Sequence, residues 1–202
     1  SPFLINLCAC FVVILINRSL KMHGGDLAIG AYGIVNRVVF LFLMIVMGFN
    51  QGMQPIAGYN FGARQFDRLV QVLKYTIFCG VTVTTIGFLV GQLFPRSIVY
   101  LFATDAELVR VAVEGLRIVL MFFPVVGFQM VTSSFFQSIG MAKKAIFLSL
   151  TRQLLFLIPS LLVLPHYFGT QGVWMSMPVA DAIATVVAAF MLSWQLKQLN
   201  KF

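Results

Sequence analysis

Gln51-Gly-Met-Gln-Pro-Ile-Ala-Gly-Tyr-Asn-Phe-Gly-Ala63 interrupts a chain that is otherwise mostly apolar. Pro55 has no N–H for a helix ladder, and Gly58 and Gly62 admit backbone angles that other residues resist. A long apolar run precedes the stretch. These residues predict that a membrane helix stops near Gln51 and that the chain then turns along the membrane surface. Just beyond, Phe66, Leu69, Val70 and Leu73 recur at helical spacing, while Arg64, Gln65, Asp67, Arg68 and Gln71 take the other side. That is the pattern of an interfacial helix leading into a span.

Composition points the same way. Hydrophobic residues make up 60% of the chain and charged ones 10%, whereas soluble domains carry about half and about a quarter. The apolar residues come in blocks long enough for the roughly 20 residues that a bilayer crossing needs. The expected fold is an all-α integral membrane protein, a bundle of six transmembrane helices forming one domain over residues 1–202. The helices are placed near 1–20, 27–51, 70–94, 118–139, 145–164 and 173–195. His23-Gly-Gly-Asp26 is a turn, 95–102 a surface helix or turn, and 165–172 a short loop. Thr104-Asp-Ala-Glu107 matches a capping box at a helix start. The first apolar run, Phe3 to Ile16, is shorter than a crossing. The chain is therefore expected to begin inside a helix and to be part of a longer protein.

The net charge of +8 serves orientation and anionic headgroups better than it serves nucleic acid. Arg64, Arg68, Lys74, Lys143, Lys144, Lys197 and Lys201 fall on one side of the expected bundle. Arg18, Lys21, Arg96, Arg110 and Arg117 fall on the other, beside Asp26, Asp105, Glu107 and Glu114. The excess places both chain ends in the cytoplasm. The expected setting is the plasma (inner) membrane, with the lipid bilayer as a partner and no nucleic acid.

An acid inside a bilayer is costly and is a functional candidate by default. Asp181 is the one here, about 12 Å below the outer surface at 1.5 Å per residue. Arg37 lies about 15 Å deep by the same count, so the two form a possible ion pair. Proton binding, substrate contact and simple water exposure stay open for Asp181. Arg152 reads as a snorkelling or structural cation. Pro124, Pro159 and Pro178 lie within spans and free backbone carbonyls, as in transporters that bend at such points. Gln129, Ser133 and Gln137 share a face at four-residue spacing. With Asn6, Met44, Met47, Gln51 and Met130 they either line a wet cavity or hydrogen-bond between helices. Cys8, Cys10 and Cys79 read as small buried hydrophobes, and no metal site or cofactor is expected. Nothing resembles a nucleophile–base pair or a P-loop, so an enzyme is not expected.

The motif Gln54-Pro55…Gly58-Tyr59-Asn60…Gly62 resembles the end of the second helix of a lobe in the multidrug and toxic compound extrusion (MATE) transporters. Asn17-Arg18…Gly24-Gly25 with Ala31-Tyr-Gly-Ile34, and Phe136-Gln-Ser-Ile-Gly140, extend the likeness. So do Arg152…Pro159 and Phe168-Gly169…Gly172-Val-Trp174…Pro178…Asp181. The resemblance is to helices seven to twelve, the C-terminal lobe of a twelve-helix fold. It implies an antiporter that exports cationic or amphipathic drugs in exchange for H+ or Na+, by rocking against an N-terminal lobe. In the sodium-coupled branch the acids of the seventh and tenth helices would fall near Cys10 and near Phe128 or Gln129, where this chain has none. Asp181 matches an acid of another branch. A related flippase for lipid-linked oligosaccharides shares the architecture, and basic residues lining the cavity would favour it.

Overall fold

The computed structural model describes residues 2–199, and the side chains of residues 7–198. It is helical from end to end, with no strand among the described residues. The helical run Pro2–Gly62 is broken at Gly25, whose φ of 68° and ψ of −164° suit only glycine. Its arms are α1 (2–24) and α2 (26–62). Next come α3 (Phe66–Leu93), the short α4 (Pro95–Tyr100) and α5 (Ala106–Val119). A 3₁₀ turn, Leu120–Phe122, joins α5 to α6 (Phe123–Ser138), and α7 (Ala142–Leu150) follows. A π-helical segment, Thr151–Leu157, leads into Ile158–Leu199, itself broken at Gly169 (φ 57°, ψ −133°) into α8 (158–168) and α9 (170–199). A Cβ on Gly172 would collide with the backbone carbonyl of Leu164. Residues eight apart along a straight helix cannot meet, so the chain reverses at this break.

Four continuous helical runs among the described residues are long and apolar enough to cross a bilayer. The glycine breaks divide two of them, which gives the expected six spans. Both breaks lie at one end of the bundle, where the Thr170 hydroxyl donates to the His23 carbonyl at 2.8 Å. Gln171 donates to Glu114 at 2.6 Å beside them. The turns at 63–65 and 139–141 lie at the other end, where a Cβ on Gly58 would sit 3.2 Å from the Ser138 carbonyl oxygen.

Two apolar clusters fill the bundle. Towards the glycine breaks, Leu20, Val35, Leu116 and Leu120 pack around Trp174, which leans on Tyr32 with ring centroids 6.2 Å apart. Towards the other end, Leu69, Leu73, Phe135, Phe136 and Leu192 form the second cluster. The buried stripe of α3 reads Leu69, Leu73, Thr76, Gly80, Thr84, Gly87 and Gly91. Its small residues let α6 approach closely, and a Cβ on Gly127 would lie 2.7 Å from the Gly80 carbonyl oxygen. Close backbone contact through small residues is how helices associate where lipid is as apolar as leucine.

Several expectations are corrected. The second span does not stop at Gln51: α2 runs through Pro55 to Gly62, and the turn falls at Arg64, which has a φ of 57°. Pro55 deprives only the Gln51 carbonyl of its donor, and Gln51 is exposed. Gly58 and Gly62 keep negative φ, so Gly58 serves close packing and not a turn. Asp105, one residue after Thr104, caps α5 by accepting from the Glu107 N–H at 2.9 Å. The loop expected at 165–172 shrinks to the break at Gly169. Cys10 is exposed and Cys8 and Cys79 are half-buried, facing the surface of an apolar bundle.

Candidate functional site

Pro159 sets the site up. Its ring lacks an N–H and crowds the carbonyl four residues back, which belongs to Leu155. The chain relieves this by widening into the π segment Thr151–Leu157, a rare conformation that recurs at functional sites. Arg152 and Gln153 stand on the widened turn. The Arg152 Nε donates to Asp181 Oδ1 of α9 at 2.6 Å, and the two side chains are 37% and 10% exposed. This is the one ion pair found among the described residues.

The expected pairing of Asp181 with Arg37 is therefore wrong. Arg37 has the right depth but the wrong direction. The inward stripe of α2 is Ala31, Ile34, Val35, Val38 and Val46, and Arg37 lies on the exposed opposite side. Arg152 does not snorkel. Its charge is met inside the bundle.

Beside the pair lies a cavity of about 200 Å³, lined by Gln129, Met130, Ser133 and Ser134 of α6, Ser149 of α7, and Arg152 and Gln153, with Leu43, Val126 and Leu148 as its apolar wall. The hydroxyls of Ser133 and Ser149 are 3.2 Å apart and share a hydrogen bond. Gln129 is 5% exposed, and neither its Oε1 nor that of Gln153 meets a donor. Buried polar atoms are almost always partnered, so two unpartnered acceptors on residues lining one cavity stand out. Each asks for water, a ligand group or a side chain that moves.

Gln129, Met130 and Ser133 come together as expected. Gln137 does not, because four-residue steps advance about 40° beyond a full turn each time; two steps carry it to the exposed side of α6. Met44, Met47 and Gln51 are exposed on α2, away from this cavity. Asn6 lies outside the residues whose side chains are described. In the opening motif, Tyr59 and Pro55 are exposed, Gln54 is half-buried, and Asn60 turns back to donate to the Ile56 carbonyl at 2.8 Å. Gln153 and Ser149 were missed by the sequence reading. The signal for Gln153 was its place beside Arg152 in the turn that Pro159 distorts.

Six apolar spans around an internal charge pair and a polar cavity make a multi-pass helical membrane bundle. Residues 2–162 match the MatE family model. The chain belongs to the MatE family, and corresponds to the C-terminal lobe of its fold. It is similar to the multidrug export protein MepA of Staphylococcus haemolyticus, at 27% identity over 89% of this chain and 39% of that protein. The probable multidrug resistance protein YoeA of Bacillus subtilis matches at 26% identity over 91% of this chain and 40% of that protein. The chain thus spans about two fifths of the length of these relatives. Among solved structures, a multidrug resistance MATE family transporter of the MOP superfamily, in an outward-facing conformation, superimposes with a TM-score of 0.91. Identity is 22%, over 98% of this chain and 45% of that one. A MOP superfamily transporter from Pyrococcus furiosus, described as having a binding pocket of reverse polarity, superimposes with a TM-score of 0.90 over the same shares.

Proposed function

We propose that the full-length protein is a secondary antiporter that exports cationic or amphipathic drugs in exchange for H+ or Na+. In this reading the chain is the C-terminal lobe, rocking against an N-terminal one, with both of its ends in the cytoplasm of a cell bounded by that plasma membrane. The observation that carries it is membership of the MatE family together with relatives named for multidrug export. Asp181 is the local candidate for ion coupling: a carboxylate in a span is expensive to keep, and its partner Arg152 lines a polar cavity. The cavity residues Gln129, Met130 and Ser133 are candidate polar contacts within the lobe.

The alternative, a flippase for lipid-linked oligosaccharides, needs a cavity that is positive to an anionic cargo. Arg152 lines the cavity, but Asp181 balances its charge, and this favours drug export. The test is drug efflux by the full-length protein carrying Asp181→Asn, driven first by a pH gradient and then by a sodium gradient. Lost efflux at normal membrane levels supports coupling through Asp181. Unchanged efflux moves coupling to the N-terminal lobe, and a wild type that exports no drug under either gradient favours the flippase.

A further inference from the structure

Arg152 uses little of its hydrogen-bonding capacity. A guanidinium carries five N–H donors in a fixed fork, and the contact to Asp181 is made by Nε alone, so it is not the two-pronged pair that arginine favours with carboxylates. The remaining amino groups are free to face the cavity that Arg152 lines, and its side chain is more than a third exposed. Gln129 and Gln153 line the same cavity, and the Oε1 of each is buried without a donor. A guanidinium with unused donors and two amides with unused acceptors thus line one space of about 200 Å³. The segment carrying Arg152 is π-helical, with bonds such as Ile158 N–H to the Gln153 carbonyl in place of the α ladder.

We propose that Arg152 has two stations: Asp181 while that carboxylate is charged, and the Gln129 and Gln153 side-chain carbonyls once it is neutral. A proton taken by Asp181 removes the charge that holds Arg152. The guanidinium then gains more from the two open carbonyl oxygens than from a neutral acid, since hydrogen bonds from a charged donor to a buried acceptor are among the strong ones. Ser133 and Ser149, bonded to each other beside the path, bridge α6 and α7 and hold the second station in shape. Few other charges bear on Asp181 from the elements packed against α9. Lys144 of α7 is engaged with Gln195, about 20 Å further along α9, and Glu114 of α5 with Gln171, about 15 Å the other way. Arg37 of α2 is exposed, and on α9 itself the Thr185 hydroxyl donates to the backbone carbonyl of Asp181 and not to its carboxylate. The inference rests on the reading of Asp181 as a proton-binding acid only in naming its trigger.

The test is a double-mutant cycle between Arg152→Gln and Gln129→Leu, read as the melting temperature of the purified full-length protein. It is run with Asp181 intact at pH 8 and again with Asp181→Asn. With Asp181 present the two substitutions are expected to add. With Asp181→Asn they are expected to couple, by about 1 °C in a full-length protein of this family's size for each contact worth about one kilocalorie per mole. Equal coupling in both backgrounds overturns the proposal, because Gln129 would then be a fixed neighbour of Arg152. No coupling in either overturns it as well. Should Asp181→Asn fail to fold, the cycle is repeated with Asp181→Ser: coupling that appears there and not with Asp181 intact supports two stations, and additivity in both backgrounds rejects them. The readout needs no transport, so a protein that exports no drug leaves it intact.

Discussion

The helix α2 and the segment from α7 through α8 carry the same pair of anomalies, an arginine within a span and a proline further on. The outcomes differ. On α2, Arg37 faces outward and Pro55 sits in regular helix; on the other, Arg152 meets Asp181 and Pro159 is preceded by seven residues of π-helix. The difference lies in what surrounds each residue. The carbonyl that Pro55 orphans belongs to Gln51, a polar residue eleven positions before the helix ends at Gly62. The carbonyl affected by Pro159 lies mid-span, where the backbone must rearrange to find partners. The same ring thus leaves one helix regular and accompanies a widened turn in the other.

The sharpest test of the contrast is to remove each arginine. Arg152→Met leaves Asp181 buried without a counter-charge and is expected to cost about 2–3 kcal/mol, the lower part of the range for such broken pairs because Arg152 is partly exposed. Arg37→Met is expected to stay within about 0.5 kcal/mol. Thermal unfolding in detergent of the two full-length variants compares them, and equal losses would erase the distinction. Adding Asp181→Leu to Arg152→Met should restore most of the lost stability, since no lone charge then remains.

A smaller effect is expected where α3 and α6 touch. Gly127→Val places new carbons against the Gly80 carbonyl and the Thr84 hydroxyl, and overpacking of this kind costs about 1–3 kcal/mol. Gly52→Ala on α2, where an added Cβ meets nothing within 4 Å, serves as the contrast and should not lower the melting temperature.

The smallest stability change belongs to Pro55, and Pro159 is its contrast. Pro55→Ala is expected to leave stability within about 0.5 kcal/mol and drug efflux unchanged. Pro159→Ala returns an N–H to the Leu155 carbonyl, lets the π segment close into α-helix and rotates Arg152 and Gln153 off their positions. Efflux is expected to fall, and the melting temperature with it as far as Asp181 loses its counter-charge. Efflux that survives Pro159→Ala would detach the π segment from the transport cycle.

The number and order of spans were legible in the sequence because bilayer thickness imposes a length that hydropathy reports directly. The turn at Gly24-Gly25 was legible too, as was the amphipathic start of α3. The partner of Asp181 was not. Depth along a span is one coordinate, and pairing also needs the rotation of each helix, which packing settles: the valines of α2 turned Arg37 away. Gln137 was misplaced for the same reason, its spacing drifting around the helix where the reading held it straight. The extent of α2 was misjudged because Pro55 was weighed as a breaker, whereas the helix runs through it to Gly62. The π segment had a visible cause in Pro159 but no visible length.

The bond from Thr170 to the His23 carbonyl joins the two glycine breaks, so the hairpins α1–α2 and α8–α9 share a single fixed point at one end of the bundle. Arg152 lies about 25 Å of helix away from the Gly169 break. Geometry then makes this arm a lever with its fulcrum at the clasp: a tilt of about 5° there sweeps the Arg152 turn through about 2 Å. Small rotations at the pinned end become displacements as large as a hydrogen bond at the free one, and Thr170→Val would loosen the pivot without touching the charge pair.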